Sequence, residues 1–408
     1  MTIVVPEVSY AVILTRDATR AAAAIRSIAA QTPPAELLLV LNDADDEMRT
    51  YARSVDDARI VHDGVDLGLV FGWNLAISEA RAPHIFVIHE DTELQDGCAE
   101  RLLKTLRERP DAGAVTAHVI QADGGEFEGN AIWRDGAFSR IRALPDGMLA
   151  VDAAPSSCVL VRADVLRGVG GFDERFFPAI YVDTSLSVAI WQAGRTVLCD
   201  PRARSLHRVG AMVDPARGPR RGTRIRSFLL ARNRARFQVA FGPWLEGQAE
   251  RSDAQDARHP TPDELADALA RTRRREERVL AAPLAPLRDR LRLPDDLEAA
   301  ARALRREVED EFLAELVERE EALAGEVAGL HRVYGETRSE LDRVHARYAE
   351  LHAAHVGLRA ELDRVHAAHA EQSAELERVH REYAALWDDR ERLRGRPGRP
   401  APEPEDHA

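Results

Sequence analysis

Three short stretches carry residues whose types and spacing can do chemistry. IFVIHEDTELQDG (Ile85–Gly97) ends an apolar run on His89, Glu90 and Asp91. A carboxylate at the end of a buried strand can hold Mg²⁺ or Mn²⁺, and the same triplet also suits a turn that caps the next helix. DLGLVFGWNLAISEA (Asp66–Ala80) sets Gly68 and Gly72 at the start of a helical stretch. Glycine lets a backbone approach closely, and a helix N-terminus suits a diphosphate, although a glycine pair alone is weak evidence. In YVDTSLSVAIWQAG, Asp183 follows apolar Val182. An unpaired carboxyl in such surroundings titrates high and suits a general base; capping a helix is the competing role. Asn42-Asp43 reads equally as a turn and helix cap.

The elements that must position these residues alternate. β-rich runs are expected at Val8–Leu14, Leu37–Leu41, Ala58–Val61, His84–Ile88 and Ala114–Ile120. Helical periodicity fills the gaps at Ala18–Ala30, Asp45–Ser54, Val70–Ala80 and Gly97–Glu108. That rhythm argues for an α/β fold with a mostly parallel sheet covered by helices. Short Gly-punctuated runs follow from Gly124 to Ala150. A strand at Ser157–Val161, a helix at Ala163–Val169, a GGFDE turn and a helix near Asp183–Ala193 come next.

Composition narrows the class. The 408 residues carry a net charge of −13, which argues against a general nucleic-acid coat. Three cysteines exclude a disulfide scaffold and fit a reducing, cytoplasmic compartment. The N-terminus has neither a basic region nor a small-residue cleavage site, and no apolar run reaches the roughly 18 residues of a membrane span. Between Arg202 and Arg236 stand 11 arginines and one acid, Asp214. No aromatic platform interleaves them, so phosphates of a donor, a lipid carrier or a membrane surface suit them better than nucleic acid; a helix with solvated arginines is the plainer reading.

Leu313, Val327, Tyr334, Leu341, Tyr348, Leu362, Leu376 and Tyr383 share heptad position a, and Leu316, Leu323, Leu330, Val344, Leu351, Leu358, Val365, Val379 and Leu386 share d. A stripe of that length predicts a coiled coil on the order of 120 Å long, and hence a homo-oligomer. Residues 1–245 are expected to form the catalytic domain, 246–262 a linker, 263–294 a helical connector, 295–394 the coil and 395–408 a disordered tail. A cut near Arg258 is then expected to leave a soluble, monomeric domain.

From Val8 to Gly242 the chain resembles the family 2 glycosyltransferases of the GT-A fold, especially the bacterial rhamnosyl- and galactofuranosyltransferase-like members. The motifs that carry this are SYAVILTRDATRAAAAIRSIAAQTPPAELLLVLND, the glycine loop, the HEDTE strand end, and GGFDERF followed by Asp183 and a late His207, in that order. The resemblance implies an inverting transferase that moves a sugar from a nucleotide-diphosphate donor to a glycan or lipid-linked acceptor in envelope or polysaccharide synthesis. It places it in the cytoplasm or at the inner face of the membrane. Thr15, Asn42, Asp43, Gly68, Gly72, Asn74, Asp91 and Arg232 would contact the donor. Asp91 and His207 would hold Mg²⁺ or Mn²⁺, and Asp183 would deprotonate the acceptor. The chain departs from the family at Asn42-Asp43, His89, Val182 and Ser185. Those changes keep a second reading open, a degenerate domain that binds nucleotide or glycan on a coiled-coil scaffold.

Overall fold

The computed structural model describes residues 6–33, 35–142, 149–208, 219–250 and 260–393. Most of the expected linker (251–259), the 395–408 tail and part of the arginine-rich stretch (209–218) lie outside the described residues.

The first strands are β1 (Val8–Leu14), β2 (Ala35–Asn42), β3 (Ala58–Gly64) and β4 (His84–His89). Every residue of β1 is buried, and β4 is buried up to His89, as strands covered on both faces require. Helices α1 (Ala18–Ala29), α2 (Asp46–Arg53) and α3 (Gly68–Glu79) connect them. Asp17 caps α1 by accepting from Arg20 N at 3.0 Å, and Asp45 caps α2 through Met48 N at 2.9 Å. Ala21, Ala24, Ile25 and Ile28 turn one face of α1 inward. α3 has no polar stripe: Val70, Phe71, Trp73, Ala76 and Ile77 are all buried, so it sits within the core rather than on it.

The chain continues through β5 (Thr92–Leu94), α4 (Cys98–Glu108), β6 (Ala112–Gln121), the short β7 (Glu126–Phe127), β8 (Gly129–Ile132), β9 (Phe138–Ile141) and β10 (Leu149–Ala150). Then come β11 (Cys158–Arg162), α5 (Ala163–Gly168), α6 (Val182–Gln192), β12 (Thr196–His207) and α7 (Pro219–Leu245). The main sheet runs β10-β12-β6-β11-β4-β1-β2-β3, with β5 added to β12 and β7 to β6. The β3-β2-β1-β4 half is parallel, as expected. β11 departs from the parallel expectation: it runs against both β4 and β6. The antiparallel insertion seats Ser156 and Ser157, which precede β11, beside the C-terminal end of β4, where His89 N donates to Ser157 O.

The expected boundary at residue 245 is corrected by the packing. The first compact unit runs from Met1 to Glu315, the second from Leu316 to Ala408. α8 (Pro262–Ala281), the extended stretch after it and the first turns of α9 (Leu297–Leu393) belong to the first unit. Ala268, Val279, Ala301 and Val308 are buried there, and Leu265, Leu269, Leu287, Leu291, Leu297, Leu304 and Phe312 pack against the same core. Buried polar pairs add to this: Asp152 accepts from Thr272 Oγ1 at 2.9 Å and from Arg275 Nη1 at 2.8 Å. The sequence misled because α8 is arginine-rich and proline-flanked, which reads as a connector. Arg275 instead pairs with Asp152 and lies 4.5 Å from the Trp244 ring centre. In the second unit α9 is the sole described element, and Leu323, Leu330, Leu341, Leu351 and Leu358 of the heptad stripe are exposed on this chain. Among the described residues no helix is long and apolar enough to cross a membrane.

A fragment ending at Arg258 therefore loses more than a linker. At about 1 kcal/mol for each half-buried Leu or Phe, the contacts removed rival the roughly 5–15 kcal/mol that keeps a domain folded. Residues 1–315 should give a soluble protein with a cooperative thermal transition, and residues 1–258 an aggregating or non-cooperative one. Equal, cooperative melts for the two would contradict the boundary.

Candidate functional site

The site forms where β4 and β12 end. After His89 the chain turns and β5 pairs antiparallel with β12, Thr92 opposite His207 and Leu94 opposite Ser205. Arg208 N donates to Asp91 O at 2.8 Å, which closes the corner. Asp91, 4% exposed, thereby meets His207, with Nε2 3.1 Å from Oδ1. His89 Nδ1 stands 3.9 Å from the same oxygen. The ligand atoms of His89, Asp91 and His207 lie within 4.8 Å of one another. Burial, then the neighbouring His207, pull His89 down to about 4, so at neutral pH it is an uncharged imidazole with a lone pair to offer. Trp73 stacks on its other face at 5.6 Å, and Phe172 backs Trp73 at 4.8 Å. Two imidazoles and a carboxylate form a donor set suited to a first-row divalent ion.

Asp183 lies one hydroxyl away. α6 begins after two residues with positive φ, Ile180 and Tyr181, a turn held by buried Tyr181 donating through its hydroxyl to Gly136 O at 2.8 Å. Ser156 N donates to Asp183 Oδ2 at 3.2 Å, and Ser156 Oγ to the same oxygen at 3.5 Å. Ser156 Oγ is also 3.3 Å from His89 Nε2. Donation to the carboxylate leaves Oγ to accept from His89 Nε2–H, which turns the Nδ1 lone pair toward Asp91. Thr184 N donates to Asp183 Oδ1 at 2.8 Å. Burial pushes the Asp183 carboxyl above its ordinary range, against these hydrogen bonds.

The remaining expected residues divide. Asn42, Asp66 and Gly68 come together at the C-terminal end of β2. Asn42 Nδ2 donates to Asp66 Oδ1 at 2.5 Å, Leu67 N to Asn42 Oδ1 at 2.5 Å, and Gly68 N to Asp66 Oδ1 at 2.8 Å. Gly68 has φ +62, and a Cβ there would stand 2.8 Å from the Phe177 ring. Thr15 donates through both N and Oγ1 to Glu90, whose carboxyl is pushed up to about 7 by burial. Asp43 is exposed and paired with Arg16 at 2.7 Å.

Three expected donor contacts are placed elsewhere. Gly72 packs against β1, where a Cβ would meet Ile13 Cδ1 at 2.9 Å, so its small size serves helix–sheet packing. Asn74 is 4% exposed and spends both amide groups on Phe172, donating to its O and accepting from its N, each at 2.8 Å. Arg232 is held by Glu311, the Phe177 carbonyl and Asn233. Sequence reasoning missed His89 as a candidate ligand because a carboxylate was sought at its position; an imidazole is an equally good ligand type. Ser156 carried no sequence signal beyond lying before a strand.

Residues 11–168 match the family model described as glycosyl transferase family 2. The O-antigen biosynthesis protein RfbC of Myxococcus xanthus is 25% identical over 160 residues, covering 34% of this chain and 12% of that protein. Among solved structures, the mannosyltransferase PcManGT from Pyrobaculum calidifontis in complex with GDP-Man and Mn²⁺ is similar at 16% identity and TM-score 0.43, covering 70% of this chain and 78% of that one. GalNAc-T7 with UDP, GalNAc and Mn²⁺ is similar at 13% identity and TM-score 0.44, covering 50% and 44%. The matched segment contains His89 and Asp91 of the strand-end cluster, with His207 outside it, and over that segment the chain is similar to the glycosyl transferase family 2.

Proposed function

We propose that the domain transfers a sugar from a nucleotide-diphosphate donor to a hydroxyl of a glycan or lipid-linked acceptor, with inversion, in polysaccharide synthesis. One observation carries the reading: a part-buried carboxylate, Asp183, stands one hydroxyl from the His89/Asp91/His207 cluster. Asp183 accepts the acceptor's hydroxyl proton as that oxygen bonds to the anomeric carbon and the bond to the diphosphate breaks. Its raised carboxyl makes it a stronger base than an exposed one, so turnover falls as pH drops through that value. His89, Asp91 and His207 would hold the divalent ion, which when bound neutralises charge on the departing diphosphate. Imidazole nitrogens favour Mn²⁺ over Mg²⁺. The Asn42/Asp66/Gly68 loop lies at the C-terminal edge of parallel strands, where open α/β sheets take nucleotides. The similarity to RfbC, an O-antigen biosynthesis protein, supports the polysaccharide assignment, and the exposed heptad stripe supports self-association.

Asp183→Asn should keep nucleotide binding and lower turnover by roughly 10²–10⁴-fold, measured over a panel of nucleotide sugars. Near-full turnover in that variant removes Asp183 from the mechanism; nucleotide binding without turnover in the unaltered chain favours the degenerate-domain reading.

Calorimetric titration with Mn²⁺ should show Asp91→Ala losing more than about tenfold in affinity, and His89→Ala and His207→Ala losing less. Nucleotide binding should weaken in parallel. Unchanged Mn²⁺ affinity in all three would dismiss the cluster.

A further inference from the structure

We propose that Arg305, in the first turns of α9, is a positioning residue for the nucleotide loop, which makes the start of the long helix part of the donor site. The inference rests on the donor reading above.

The loop Asp66–Gly68 has little support of its own. The amides of Leu67 and Gly68 are satisfied by the side chains of Asn42 and Asp66, and Asn42 in turn depends on Asp66 Oδ1. The orientation of one carboxylate therefore sets the loop. Arg305 fixes it from outside: Nη2 is 2.6 Å from Asp66 Oδ2 and donates to Asp66 O at 3.0 Å. One guanidinium nitrogen thus holds both the carbonyl and the carboxylate of Asp66, so it constrains that residue's backbone and side chain together. The guanidinium also lies over the Phe177 ring at 5.8 Å. That ring is the one a Cβ at Gly68 would strike, and Leu69 N donates to the adjacent Pro178 O at 2.9 Å. Arg305 thus touches both walls of the loop.

Its mount is firm. Ala301 and Val308, flanking it on α9, are buried. Arg236 pairs with Glu307 at 2.8 Å and with Glu311 at 2.7 Å, Arg232 is held by Glu311, and Phe312 meets Phe228 at 5.2 Å. These contacts lie within the first compact unit. They give Arg232 a purpose other than donor contact: it fastens α9 to the Phe177 carbonyl, on the same wall.

The test uses the full chain with Arg305→Gln, Arg305→Lys and, as control, Arg306→Gln on the exposed side of the same helix. Two quantities are read: hydrogen exchange of the Leu67 and Gly68 amides, and affinity for UDP and GDP with Mn²⁺. Arg305→Gln should speed exchange at those amides and weaken the bound nucleotide about three- to tenfold, with the melting temperature close to that of the control. Arg305→Lys should recover part of both, since an ammonium keeps the charge beside the carboxylate but loses the planar group over the Phe177 ring. Unchanged nucleotide affinity in Arg305→Gln, whether or not exchange rises, overturns the proposal while leaving the donor reading intact. Failure of the unaltered chain to bind either nucleotide overturns the donor reading and this proposal with it.

Discussion

The pairing of β5 with β12 is the constraint on which the rest of the site depends. Only three residues long, β5 forces the chain leaving β4 to double back across the sheet's edge. Asp91 must then sit in the corner, buried, with its carbonyl taken by Arg208 N and its carboxylate against His207. A carboxylate removed from water needs compensation, and two imidazoles beside it prepare a place where a cation completes the charge balance. β11, antiparallel between β4 and β6, brings the Ser156 hydroxyl to the same corner, and through it Asp183. Asp183 and the cluster are thus coupled by sheet topology rather than by sequence proximity.

The glycine loop is organised differently. There the backbone is shaped by side chains, and the shaping passes from Asn42 to Asp66 to Arg305 across three separate elements. Gly68 is required by its positive φ and by the Phe177 ring, and Gly72 by the close approach of α3 to Ile13. Two glycines four residues apart therefore answer to different demands, one at the loop and one in the core.

Much of this was legible in the sequence. β1, β4 and α1 fall where alternation and helical period put them, because their burial patterns are simple. Asp91 and His207, named from the motifs, lie together, and Asp183 reaches the same corner through Ser156. Asn74 and Arg232 were misplaced because residue type alone does not reveal a partner: an amide facing Phe172 and a guanidinium facing Glu311 look in sequence like any amide or guanidinium near a motif. The domain boundary was misplaced for a related reason. Polar, arginine-rich α8 buries only Ala268, Thr272 and Val279, too few to mark it as core without its acidic partners in view. Asp66 stood at the head of the glycine motif, but the residue that holds it lies 239 positions away.

Two imidazoles and one carboxylate at the strand-end corner are the donor set proposed to hold a divalent ion beside Asp183. Pulsed electron paramagnetic resonance of Mn²⁺ added to the full chain is the direct test, because a coordinated imidazole modulates the echo at nitrogen frequencies and bound water only at the proton frequency. Modulation from two nitrogens is expected, reduced to one in His89→Gln or in His207→Gln. A spectrum of bound Mn²⁺ with oxygen ligands alone, unchanged by either substitution, would contradict it.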